Sequence, residues 1–191
     1  MSLDVLMVSA TMIKDRTSIH DNLDAKLIYP EIKIAQDMYI HPLLGTALYD
    51  KILSDISGNS LAGDYKTLMD RYIVDCLIHY VLKDLVTSVS YQIWNKGVLR
   101  KQGENTELPS MSDLVSISNA YKQKAEWYGE RLLKYLKENA SEKFPEYLNP
   151  GNGIDAIHPA HNSFSMPVYL GDDDYDNRSY EEKYQGNNPR C

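Results

Sequence analysis

At 191 residues the chain has the length of one domain, and with 43% hydrophobic residues it can build a core, which excludes a wholly disordered polypeptide. A formal charge of −7 excludes a protein that clamps nucleic acid by neutralising phosphates, but not one that lets DNA pass without sticking. The start, MSLDVLMVSATMI, has no basic residue and is interrupted by Asp4, so no secretory leader is expected. The longest apolar stretch, YIVDCLIHYVL (72–82), carries Asp75 and His79 and is too short to cross a bilayer. Cys76 lies inside that stretch and Cys191 is the last residue, a pair that makes no disulfide framework. A soluble, reduced, intracellular protein is expected.

In the first 20 residues, LDVLMV reads as a short strand, and SATMIKDR as a helix of one or two turns starting at Ser9. Ile28, Ile32, Ala35 and Tyr39 recur at helical spacing, which predicts an amphipathic helix over 24–40. Pro42 disfavours helical backbone at His41 and is expected to end it there. Periodicity resumes at Leu44, Leu48, Ile52 and Ile56, with Gly58 as a C-cap. Pro42, Leu43, Leu44 and Gly45 therefore form a structural corner, the leucines packing into the angle and Gly45 permitting close backbone approach.

The third helix is predicted from Ala62 to Trp94, stopped by Asn95-Lys96-Gly97, with a kink near 87–90. It is apolar nearly all round apart from the stripe Arg71, Asp75, His79 and Lys83, which makes it the central element. GVLRKQGENTELPS (97–110) reads as a polar loop or short hairpin around Gly103. SMSD, from Ser110, opens a fourth helix running to about Asn139, with Leu114, Ile117, Tyr121, Ala125, Tyr128, Leu132, Tyr135 and Leu136 on one face. The fold class expected is all-α: a bundle of about four helices with a long central one, over 1–148, plus an extended, mostly irregular acidic arm over 149–191.

Composition shifts abruptly after FPEYLNPGNG. Residues 150–191 hold four of the eight prolines and seven acidic against three basic residues. SFSMPVYL places Phe164, Met166, Val168 and Leu170 on one side of a single strand, with Tyr169 beside them. Burying the four returns ~6–12 kcal/mol. Ordering 164–170 costs ~10 kcal/mol. The segment is therefore expected to order only against a partner or its own bundle, and deleting 150–191 to leave thermal stability nearly unchanged.

Chemical signals are weak. No phosphate-binding loop, nucleophile elbow or metalloprotease motif is present. Asp75 and His79, four apart on a helix, suit a shared metal or proton, but equally a solvated polar stripe. His158 and His161 lack a second pair of ligands. Asp172, Asp174 and Asp176 match alternate positions of a calcium loop, yet Asn177 stands where glycine is needed and Lys183 where a bidentate glutamate belongs. No enzyme and no cofactor are expected. Fifteen tyrosines against two phenylalanines and two tryptophans fit either wet interfaces or the edges of amphipathic helices.

The ordered set LIYPEIKIAQDMYIHPLLGTALYDKIL, DYKTLMDRYIVDCLIHYVLKDL, YQIWNKGV and AEWYGERLLKYLKENASEKFPEY resembles the head-to-tail connector (ring or adaptor) proteins of tailed bacteriophages, of crAss-like phage type. The resemblance covers about residues 10–148; its most specific pieces are the corner AQD…HPLLGTALYD and the helix AEWYGERLLKYL, and 149–191 has no counterpart. It implies a helical subunit made in the host cytoplasm that joins a homo-oligomeric, dodecameric ring under the portal in the virion neck. There it extends the DNA channel without reading sequence and offers a docking surface to tail proteins. The family has no catalytic residues to carry over. The competing expectation is a standalone helical module whose arm, Phe164 to Leu170, recognises one protein; a metal-dependent enzyme using Asp75/His79 or the acidic tail is the third.

Overall fold

A computed structural model describes residues 5–95, 97–100, 109–151, 153 and 155–159. The chain divides into a compact unit Met1–Ala160 and a second unit His161–Cys191, the latter outside the described residues. The first unit is an all-α bundle with one short hairpin.

Ser9 caps α1 (Ala10–Arg16), its side chain accepting the Met12 amide at 3.1 Å. Asp24 caps α2 (Ala25–Ala35) in the same way, through the Lys26 amide. Ile28, Ile32 and Ala35 of α2 are fully buried. The helical path does not stop before His41. It widens into a π turn, Gln36–Ile40, and continues as α3 (His41–Leu44). His41 is helical, at φ −54° and ψ −47°. Pro42 has no N–H to give the carbonyl four residues back, and its ring would crowd that carbonyl; the wider turn accommodates both. The chain breaks instead at Gly45, whose φ of 77° and ψ of 159° belong to glycine alone.

α4 (Thr46–Ser57) buries Leu48, Tyr49 and Ile52. Gly58 is its C-cap but stays right-handed; Asn59 takes the left-handed position at φ 51°. The amides of Ser60 and Asn59 bond back to the Asp55 and Ile56 carbonyls at 2.8 and 3.1 Å, a Schellman closure.

The central helix comprises α5 (Gly63–Leu68), a π turn Met69–Ile73, and α6 (Val74–Ser90). Its irregularity lies at 69–73, not 87–90. The buried pairs Leu68/Met69 and Ile73/Val74 are five residues apart, and the widened turn puts both on the core side. The helix ends at Ser90, short of Trp94. Tyr91–Trp94 and Gly97–Arg100 form an antiparallel hairpin, β1 and β2, with Trp94 opposite Gly97. The run Tyr-Gln-Ile-Trp ahead of Asn95 favours extended backbone over another helical turn. Gly103 lies outside the described residues.

α7 (Met111–Lys143) opens with a full capping box: Ser110 accepts the Asp113 amide at 3.2 Å and Asp113 accepts the Ser110 amide at 2.9 Å. It runs four residues past Asn139 and hands over to α8 (Pro145–Leu148), where Phe144 and Tyr147 plug the core. Both α2 and α7 pack on α6, which is the centre of the bundle. No helix among the described residues is long and apolar enough to cross a membrane.

Candidate functional site

The corner is built from both ends of the unit. Leu44 is fully buried, and Leu43 reaches Gly129 of α7, where an added Cβ would stand 3.7 Å from Leu43 Cδ1 and from Cys76 Sγ. At Gly45 an added Cβ would meet Pro159 Cγ and Cδ at 2.8 Å. Residues 156–159 return to this point as a strap. The Ile157 amide donates to Thr46 Oγ1 at 2.8 Å, and the Thr46 amide donates to the Ile157 carbonyl at 3.0 Å. His41 Nε2 sits 3.0 Å from the same hydroxyl and stacks its ring on Tyr49. The compact unit thus extends past 148, because the corner binds the first residues assigned to the arm.

A buried polar hub lies beside it. Gln36, fully buried, accepts the Met7 amide at 2.9 Å and donates to the Val5 carbonyl at 3.1 Å and to Tyr49 Oη at 2.9 Å. Tyr49 in turn donates to Asp37 at 2.7 Å, and Lys33 also bonds Asp37. Burial pushes the Asp37 carboxyl up, but hydrogen bonds from Lys33 and Tyr49 outweigh it and hold the group below its usual value. The sequence signal for Gln36 was a polar residue four after Ile32 on the core face, and the expected pattern passed over it. The hub fastens the lead-in at Val5 and Met7 to α4; with every polar atom engaged, it has no chemistry to offer.

Asp75 and His79 do not act together. Asp75 pairs with Arg16 at 3.4 Å, while the His79 ring lies over Tyr128 and Tyr121, with Nδ1 buried and without a hydrogen-bond partner. Burial and then Lys124 depress the His79 pKa, against a smaller opposing effect of Asp75. Lys83 bonds Tyr39 Oη at 2.6 Å and Asp84 at 2.8 Å, so of the predicted polar stripe Asp75 and Lys83 are paired, while Arg71 is exposed. Burial drives the Cys76 thiol to about 12, leaving it unreactive. No cluster of three metal-ligating side chains exists among the described residues. His158 is exposed, and Asp172, Asp174, Asp176, His161 and the arm residues Phe164, Met166, Val168, Tyr169 and Leu170 lie outside the described residues.

Most of the described tyrosines edge the core, as the plainer reading had it. Tyr39 stacks on Tyr80 at 4.2 Å between centroids, Tyr72 on Tyr135 at 4.1 Å, and Tyr65 meets Phe144 edge-on at 5.4 Å. Among the described residues, Met111, Val115, Leu148 and Ile157 are exposed, and further apolar surface gathers in three places. On α2, opposite the side facing α6, Tyr29, Pro30 and Ile34 are exposed with Lys33 among them, and Met38 is exposed in the π turn that follows. On the outer side of α7, Trp127 is 59% exposed beside Ala120 and Lys124. Between α6, the start of α7 and the segment before α2 runs an open groove of about 270 Å³, walled by Ile19, Leu85, Val86, Val89, Ile117 and Tyr121.

The chain belongs to a family of unknown function, DUF6712, whose model matches residues 40–157. The matched stretch begins at the corner and ends on the strap that pins it. No curated protein and no solved structure matches the chain.

Proposed function

We propose that the protein is a non-enzymatic head-to-tail connector, a subunit that assembles into a ring beneath a phage portal, extends the DNA conduit and presents a surface to the tail. The ordered resemblance of residues 10–148 to such connectors supports this reading, and the helical fold agrees with it. The observation that carries it is the placement of apolar surface. The stripe Tyr29/Pro30/Ile34 of α2, with Met38 just after it, and the α7 surface around Trp127 lie on different helices, each away from the side that packs on α6, so they are two distinct patches. A head-to-tail ring needs two different faces on every subunit, whereas a two-fold dimer needs one. Tryptophan is also among the residues enriched as interface anchors.

The test is native mass measurement of the full chain, alone and mixed with a portal protein of the same phage, together with imaging of intact particles. A closed ring, or density for the chain at the collar, is expected. A strict monomer with portal present, and no density at the collar, would sink the connector reading and favour a standalone partner-binding module.

A further inference from the structure

We infer that the groove between α6 and the start of α7 is the receptor for the arm segment Phe164–Leu170 of a second copy of this chain. The inference rests on the connector reading and supplies the fastening between its subunits.

The groove differs from the other two apolar surfaces in carrying no charged side chain on its walls. Its polar atoms come from Ser18, Ser90 and the Tyr121 hydroxyl. The α2 stripe includes Lys33 and the Trp127 surface includes Lys124. Leu114, on the groove wall, is buried and stands apart from the continuous core, whereas Leu82 and Leu85 on the facing wall belong to it, so the groove is an open extension of the core. Val86 and Ile117 border it, Ile117 being 44% exposed.

The occupant follows from the chain beyond Pro159. Residues 162–170, NSFSMPVYL, carry no charge, and acidic residues begin only at Asp172. This is the stretch after the strap whose lack of charge matches the uncharged groove. Alternate residues of an extended segment fall on one side about 7 Å apart. From Leu82 to Ser90 the groove follows α6 for about 12 Å. It therefore takes two same-side neighbours at a time, with Met166 and Val168 as the central pair. Pro167 has no amide to donate to a sheet, which favours side chains set into a groove over strand pairing. Ser18 offers a hydroxyl to the entering backbone, and Ser90 Oγ, which donates to the Val86 carbonyl at 2.8 Å, can still accept from it.

The test uses full-length chains carrying Cys191→Ser, in which Cys76 stays silent because it is buried with its thiol raised to about 12. A chain with Ile117→Cys is mixed with one carrying Met166→Cys under mild oxidation, and mixed disulfides are counted by mass. Glu138→Cys, exposed on the same helix, replaces Ile117→Cys as control. The expected yield is roughly tenfold above the control, the ratio that ~1.4 kcal/mol of preference gives. Equal yields overturn the inference. So does a chain carrying both Ile117→Cys and Met166→Cys that closes on itself in preference when diluted, since its arm then fills its own groove. Native mass of the unmodified chain keeps the two proposals apart: rings without the mixed disulfide retain the connector and discard this receptor, while mixed disulfides without rings do the reverse.

Discussion

Gly45 is asked for two things at once: a backbone conformation closed to side chains, and the absence of a carbon where Pro159 packs. Gly45→Ala would set a Cβ 2.8 Å from Pro159 at φ +77°. Strain of this kind costs roughly 1–3 kcal/mol, read as an earlier urea midpoint with unchanged slope. His79 makes a different prediction. Burial holds its folded pKa below the ordinary 6.5, so the unfolded chain takes up the proton first. Stability is then full above pH 6.5 and is lost as pH falls through that value toward the lower folded pKa. Because Nδ1 has no partner to lose, His79→Leu should fold normally at neutral pH. The same variant should also lack the wild type's decline as pH falls below 6.5, measured by denaturation at a series of pH values.

At the scale of elements, what was legible in the sequence was whatever rests on neighbouring residues. Ser9, Ser110 and Asp113 act where their side chains reach the next free amides, and the apolar spacing of Leu48, Ile52, Leu132 and Leu136 reports the core directly. The two π turns were not legible, because a single extra residue per turn shifts the pattern too little to separate from ordinary scatter. Pro42 was read as a stop when it is a passenger in a widened helix, and the true stop is three residues later. The strap was hidden for another reason: nothing local in Ile157 or Pro159 announces a partner more than a hundred positions away. Leu44, fully buried in the angle, tests the corner as a unit. Leu44→Asp places a carboxylate where no partner waits, and the expected outcome is loss of the cooperative thermal transition by circular dichroism.

For the whole molecule, the strap redraws the boundary between body and arm. Removing 161–191 should leave the melting temperature unchanged. Removing 150–191 also strips the Ile157–Thr46 pair of hydrogen bonds and uncovers the corner at Gly45. Each such bond contributes about 0.5–1.5 kcal/mol, and a chain of this size loses about 2–4 °C per kcal/mol, so a drop of several degrees is expected by calorimetry. Equal melting of the two truncations would mean that the strap adds nothing. This replaces the simpler expectation that the entire stretch after 149 is dispensable for stability.

The bond pair at Thr46 also has a consequence for encounter rates. A ligand held by one end samples only the volume its leash allows, and its local concentration there is set by leash length measured from the anchor. With Pro159 locked against Gly45, the leash of any copy starts eleven residues later than the end of α8 would suggest. Under the proposed docking, the leash is then the last 32 residues rather than the 43 that follow α8. Loosening the lock should dilute them around their target without altering a single atom of either contact surface.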